Sequence, residues 1–228
     1  MSQSVTFDPI WEEKYAGGHA QRYPWDVIVS FVFRSAPRDR PRSEVRILEV
    51  GCGTASNLWF AAREGFSVTG IDGSASAIAT AKARFAEDGL DGDLSVGDFT
   101  DLAFEDATFD CVIDRGALTC CGHKAMARAV TEVQRVLKPG GRFFFNPYAD
   151  SHSSARAGRQ IEDGLTTDIA AGTLVGAGQI HFVGRREIDT LLAGGWTLHQ
   201  VQRLELTDML APEGGIHAEW RIIAEKNR

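Results

Sequence analysis

No stretch of the sequence approaches the ~18–20 consecutive apolar residues that a membrane span needs. The first residues, MSQSVTFDPIWEEKYAGG, lack the basic start and apolar core of a secretory leader. Cysteine is scarce: Cys52, Cys111, Cys120 and Cys121 form no Cys-x-x-Cys and no spaced framework. They read as reduced thiols, so a cytoplasmic location and no membrane partner are expected. Cations are in deficit, with 24 Lys plus Arg against 31 Asp plus Glu and a net charge of −7. Such a chain is a poor default binder of phosphate backbones, and no nucleic-acid partner is expected. There is no internal repeat, no low-complexity tract and no ligand spacing that marks a metal site, so none is expected.

What is present is an ordinary globular composition: 228 residues, 43% apolar and 24% charged. That suits one structural domain and argues against wholesale disorder. Strand-like and helix-like segments alternate. Short β-branched or apolar runs at 45–50, 66–71, 94–96, 109–113 and 143–145 predict strands. The segments between them predict helices over 55–64, 74–87 (capped by Ser74) and 123–137, the last broken by Lys138-Pro139-Gly140-Gly141. A helix near 185–193 and two strands, 196–206 and 218–225, follow. This is an α/β fold with a parallel sheet and helices on both faces, closed by an antiparallel hairpin. Ligands in such sheets bind outside the carboxyl ends of the strands.

The first strand ends in Glu49-Val50-Gly51-Cys52-Gly53-Thr54. Two glycines one residue apart let the backbone approach a ligand closely. Ser56 stands where a dinucleotide fingerprint needs its third glycine, and a pyrophosphate would be repelled by Glu49. An ammonium or a sulfonium would not. Asp72, ending the second strand, has the position to accept from ribose hydroxyls or to be a plain turn residue before Gly73. Asp98-Phe99 pairs a carboxylate with an aromatic ring, a combination that suits adenine; a loop acid is the plainer alternative. The fourth strand ends in Asp114-Arg115-Gly116.

These residues together, LEVGCGT, Asp72, Asp98-Phe99, FDCVIDRGAL and RVLKPGGRFFF, resemble the class I S-adenosylmethionine-dependent methyltransferases over residues 45–147. The resemblance implies a Rossmann-like three-layer sandwich with a seven-stranded, mostly parallel sheet, order 3-2-1-4-5-7-6 with strand 7 antiparallel, under an N-terminal helical lid. It implies S-adenosylmethionine as cofactor and S-adenosylhomocysteine as product. It puts Glu49, Gly51, Cys52 and Gly53 around the methionine portion, Asp72, Gly73 and Ser74 at the ribose, and Asp98 and Phe99 at the adenine. Asp114 and Arg115 fall at the methionine end and the acceptor. Asn146-Pro147-Tyr148 is similar to the Asn-Pro-Pro-Tyr of nucleic-acid amino-methyltransferases, but it follows the fifth strand and lacks the second proline.

Residues 1–44 read as lid and connector, and 45–228 as the cofactor domain with a covering insert at about 148–184. Trp11, Tyr15 and Arg22 are expected over the cofactor, Arg22 pairing with its carboxylate; Tyr23 and Trp25 either join them or pack the helix onto the sheet. The arginine-rich stretch 34–46 is a solvated connector or an anion-facing loop. His123, His152, His181 and His217, with Glu219, are candidate proton acceptors, and His181 in GQIHF is the preferred one. The expected activity is methyl transfer to an O or N atom of a small-molecule acceptor, by a chain that could form a homodimer. A nicotinamide-dependent oxidoreductase and a catalytically silent cofactor-binding scaffold are the alternatives.

Overall fold

The computed structural model describes residues 6–228. Helices α1 (Ile10–Ala16) and α2 (Asp26–Ser35) precede the sheet. Then β1 (Arg46–Val50), α3 (Ser56–Arg63), β2 (Ser67–Asp72), α4 (Ala75–Glu87), β3 (Asp93–Val96) and β4 (Phe109–Asp114) alternate. They are followed by α5 (His123–Val136) and β5 (Leu137–Phe145). Three short strands, β6 (Arg159–Gln160), β7 (Leu165–Thr167) and β8 (Ile180–His181), lead to α6 (Arg185–Leu191), β9 (Trp196–Thr207) and β10 (Ile216–Lys226).

The main sheet has seven strands in the order β3-β2-β1-β4-β5-β10-β9. Neighbours from β3 to β5 are parallel, and β10 runs antiparallel to both β5 and β9. Counted along the chain within this sheet, that is 3-2-1-4-5-7-6 with the last strand reversed, the fold the sequence motifs imply.

Side chains alternate across the central strands and so feed two cores. Leu48, Val50, Val112, Phe143 and Phe145 pack with Met126, Val130 and Val133 of α5 and Ile188 of α6. Ile47, Cys111, Ile113 and Phe144 pack with Ile28 and Phe31 of α2, Leu58 of α3 and Phe85 of α4. All six residues of β4 are buried, as a strand covered on both faces must be. The edge strand β9 is mostly exposed and carries His199, Gln200, Gln202, Arg203 and Glu205, charges and amides that discourage edge pairing.

The helical lid expected at the N-terminus is two helices, with non-helical backbone between Gly17 and Trp25. Two other local expectations are modified. β5 starts at Leu137, not at Phe143; Lys138–Gly141 lie inside it as an irregularity, where the register against β4 shifts between Phe109 and Cys111. The irregular stretch after β5 contains the antiparallel sheet β6-β7-β8. Ser74 caps α4 as expected, its Oγ accepting from Ala77 N at 3.0 Å.

The arginine-rich connector faces protein carboxylates at the amino end of β1, not an anion site. Arg40 pairs with buried Asp110, which also takes Lys138 Nζ at 2.9 Å and the Arg46 N–H at 2.8 Å. Arg42 pairs with Glu64 at 2.8 Å. Removing Asp110 would leave three donors around a buried gap. Asp110→Ala is expected to lower unfolding stability by about 3 kcal/mol, read as a lower urea midpoint with an unchanged slope.

Candidate active site

The site is built at the carboxyl ends of β1, β2 and β4 and the amino end of the antiparallel β10. β1 delivers Glu49 and then turns through Gly51 and Gly53, with φ of +64° and +53°, a region that glycine enters without strain. A Cβ on Gly51 would collide with Ala117, and one on Gly53 would lie 2.5 Å from the Tyr15 hydroxyl. Asp72 ties this turn to the next one. Its Oδ2 accepts from Gly53 N and its Oδ1 from Ser74 N, both at 2.8 Å. Burial pushes the Asp72 carboxyl upward, and these two amide bonds pull against that.

The N-terminal segment lies over this edge and is held from two sides. Glu12 of α1 accepts from the hydroxyls of Ser74 and Ser76, each at 2.5 Å. Asp8 Oδ2 accepts from Gln179 N in the insert at 2.8 Å. Phe7 packs where a Cβ on Gly73 would be. Two cavities lie beneath. A smaller one of about 120 Å³ is lined by Phe7, Trp11, Tyr15, Asp72, Gly73 and Phe99. A larger one of about 420 Å³ runs from Glu49, Cys52 and Gly53 to Tyr148, His217, Glu219 and Arg221. Trp11, Tyr15, Gly51 and Arg115 border both.

The wall contains polar atoms that have no hydrogen-bond partner among the described residues. Glu49 is buried; its Oε1 accepts from Asn57 Nδ2 at 2.7 Å, while Oε2 has no hydrogen bond. Arg115 Nε and Trp11 Nε1 are likewise buried donors without acceptors. Burial pushes the Glu49 carboxyl up to about 8, with Asp114 and Asp72 adding to the rise and Asn57 opposing it. Arg115 lies 4.0 Å over the Trp25 ring and 3.6 Å from Glu219. One free carboxylate oxygen and two free N–H groups around one space complement the ammonium and carboxylate of an amino acid.

Of the residues expected from the sequence, Trp11, Tyr15, Glu49, Gly51, Cys52, Gly53, Asp72, Gly73, Phe99 and Arg115 line these cavities. Others stand apart. Arg22 is exposed beside Arg84, and Arg115 takes the position expected of it. Asp98 is exposed and folds back on Thr100 N and Oγ1, both at 2.8 Å. Ser74 is fully buried under Glu12. Asp114 is also fully buried, its Oδ1 taken by Ala117 N at 2.9 Å and Leu118 N at 3.0 Å. It shapes the loop that carries Arg115 and does not face the cavities. The His181 side chain turns away from the cavity to Glu187, 2.6 Å from its Nε2, so it does not reach an acceptor. Burial opposes protonation of that ring, and Glu187 more than compensates.

Some wall residues were not singled out from the sequence. Asn57 fixes Glu49 and also accepts from Trp25 N at 3.0 Å. Arg221 follows His217 and Glu219 at every second residue of β10, a period of two that places all three on one face.

Residues 47–141 match the family of methyltransferase domains. Over 107 residues the chain is 38% identical to the phthiotriol/phenolphthiotriol dimycocerosates methyltransferase of Mycobacterium tuberculosis, covering 46% of this chain and 37% of that one. It is 35% identical over 110 residues to the malonyl-[acyl-carrier protein] O-methyltransferase of Erwinia pyrifoliae, covering 47% and 38%. The matches thus span less than half of these curated relatives. An S-adenosylmethionine-dependent methyltransferase structure from Methanosarcina mazei superposes with a TM-score of 0.69 at 24% identity, covering 90% of this chain and 99% of that one. Residues 47–141 thus match a methyltransferase domain, and the fold that carries them is that of the S-adenosylmethionine-dependent methyltransferase structures. The cofactor is S-adenosylmethionine, and the cavity wall fits it: the unpaired Glu49 oxygen suits the ammonium, and the free Arg115 and Trp11 donors suit the carboxylate.

Glu49 generates a prediction with a definite sign. Its carboxyl titrates higher in the folded protein than in the unfolded chain, so its contribution to stability falls as pH rises from about 4.5 through about 8. Glu49→Gln should therefore melt higher than wild type at pH 8.5 without ligand. The same substitution should weaken S-adenosylhomocysteine binding by roughly 10–100-fold, a lost hydrogen bond to a charged group. Wild-type affinity should rise between pH 6 and 8 as Glu49 ionises, and the variant should lose that slope.

Proposed function

We propose that the chain transfers a methyl group from S-adenosylmethionine to an O or N atom of a small acceptor held in the larger cavity. The observation that carries this is the make-up of that cavity. One end is the glycine turn with Glu49, and the other is a separate wall of Tyr148, Leu174, Ile180, Leu204, His217 and Glu219. The apolar members would hold the body of an acceptor, and the polar face of β10 would hold its reacting end.

The cofactor supplies a methyl group already activated on a sulfonium. The protein's part is to hold the acceptor aligned and to exclude water. Both covers contribute to this: α1 is pinned to α4 through Glu12, and the insert is pinned to the N-terminal segment through Asp8.

A hydroxyl acceptor also needs somewhere for its proton to go. Glu219 is a poor base: burial raises its carboxyl, but His217, Arg115 and Arg221 bring it down to about 2. His217 is the better candidate. Its Nδ1 is 2.8 Å from Thr173 Oγ1, and its Nε2 is 3.9 Å from Glu219 Oε2. With Nδ1–H donated to Thr173, Nε2 can take the proton, and Glu219 stabilises the imidazolium. Burial and His217 push the neighbouring His152 down to about 4, so it stays neutral. Its Nδ1 accepts from Ser154 N at 3.0 Å, which leaves an Nε2–H between Thr173 Oγ1 at 3.1 Å and His217 Nδ1 at 3.3 Å; donation to Thr173 leaves His217 able to hold its own proton on Nδ1.

The supporting experiment is turnover to S-adenosylhomocysteine with panels of hydroxyl and amine acceptors. His217→Asn should lower kcat on a hydroxyl acceptor by roughly 10²–10⁴-fold. It should leave S-adenosylhomocysteine affinity unchanged. An unchanged kcat would remove His217 from the reaction. Tight binding without turnover on any acceptor would favour the silent-scaffold reading.

A further inference from the structure

Away from the cavities, three side chains from three elements converge. His123 begins α5, His181 ends β8 and Glu187 lies in the first turn of α6. His123 Nδ1 is 2.5 Å and His181 Nε2 is 2.6 Å from the same oxygen, Glu187 Oε1. One ligand atom from each residue lies within 4.8 Å of the others. Two imidazoles and a carboxylate closing on one point are a donor set for zinc and similar transition-metal ions, not for magnesium or calcium.

The surroundings fit the same reading. His181 Nδ1 is 2.9 Å from the Gly164 carbonyl. A proton held there turns Nε2 into the lone-pair atom and fixes the ring, as the outer hydrogen bond of a metal-bound histidine does. The neighbouring Asp163 is braced by Lys124 N–H, with its oxygens at 3.2 and 3.3 Å. Glu187 and Asp163 together match a dication bound by two neutral imidazoles. Exposure is graded: the side chains of His181, Glu187 and His123 are 6%, 20% and 45% exposed. The half-exposed His123 leaves the cluster open to an ion from solvent.

We propose that His123, His181 and Glu187 form a binding site for a zinc-like divalent ion that clips the covering insert to α5 and α6. The site is structural with respect to the cavity. The His181 carbonyl accepts from the Thr119 hydroxyl at 2.6 Å, and the Gln179 side chain donates to Cys120 O at 2.9 Å. β8 is thereby joined to the loop that carries Arg115, and its Ile180 lines the larger cavity. An ion here would hold the acceptor wall in place without touching the reacting atoms. The inference does not depend on which acceptor is used or on whether transfer occurs.

The test is calorimetric titration of chelator-treated protein with zinc chloride, and with magnesium chloride as control. Wild type, His123→Ala, Glu187→Gln and His217→Ala are compared, each checked for a cooperative melt. We expect one zinc per wild-type chain, no magnesium binding and a melting temperature that climbs with zinc concentration. Affinity should fall at least tenfold in His123→Ala and Glu187→Gln and be unchanged in His217→Ala, which disrupts the other histidine cluster. A cobalt adduct of wild type should absorb in the visible, and that band should be lost in His123→Ala. Absence of saturable zinc binding, binding that survives both cluster substitutions, or binding abolished by His217→Ala would overturn the proposal.

Discussion

The Asp72 carboxylate bridges the turns after β1 and β2, and the site rests on that bridge. One oxygen holds Gly53 N–H and the other Ser74 N–H. The first bond fixes the glycine turn under Tyr15. The second fixes the start of α4, whose serines then anchor Glu12 and with it α1. A parallel sheet places the loops after all its strands on one edge, and Asp72 converts two of those loops into a single rigid floor. A carboxylate with both oxygens engaged by amides still has lone pairs facing the smaller cavity, so scaffold and ligand contact can coexist in one side chain.

The same edge is where the protein leaves polar groups unmet. Most buried polar atoms in folded proteins find partners, and an orphan costs about 1–3 kcal/mol. Among the described residues, Glu49 Oε2, Arg115 Nε and Trp11 Nε1 are such orphans, and all three residues border the cavities. Glu49 adds the cost of a carboxylate pushed up to about 8 by burial. These groups do not stabilise the empty fold. They make sense as one half of a set of contacts whose other half is a zwitterion. The acceptor wall is built differently: Glu219 is satisfied by Arg115, Arg221 and His217, so that end is organised before any ligand arrives.

Much of the fold was legible because its signals are local. Glycine turns, β-branched runs and the alternation of strand and helix marked a parallel sheet, and the family resemblance carried by the motifs implied its strand order. Cavity-lining residues on the backbone turns themselves, Glu49, Gly51, Cys52, Gly53, Asp72 and Gly73, were legible for the same reason. Residues whose direction depends on tertiary packing were not. His181 and Asp114 sit in suggestive sequences, yet their side chains turn away from the cavities, one toward Glu187 and the other toward the amides of its own loop. Arg22 and Arg115 have the same chemistry, and only the path of the chain after α1 decides which one reaches the site. His123 and Glu187 are 64 positions apart. No spacing rule joins them, because the insert between them brings them together.

The central claim is that the Asp72-braced turn, with its unpaired Glu49, is a cradle for the amino-acid end of an S-adenosyl cofactor and not for a dinucleotide. The most direct measurement is side-by-side calorimetric titration of the wild-type chain with S-adenosylhomocysteine, NADH and NADPH. The account predicts saturable one-to-one binding of S-adenosylhomocysteine and no heat of binding from either nicotinamide cofactor. Binding of NADH or NADPH, or no binding of S-adenosylhomocysteine, would contradict it.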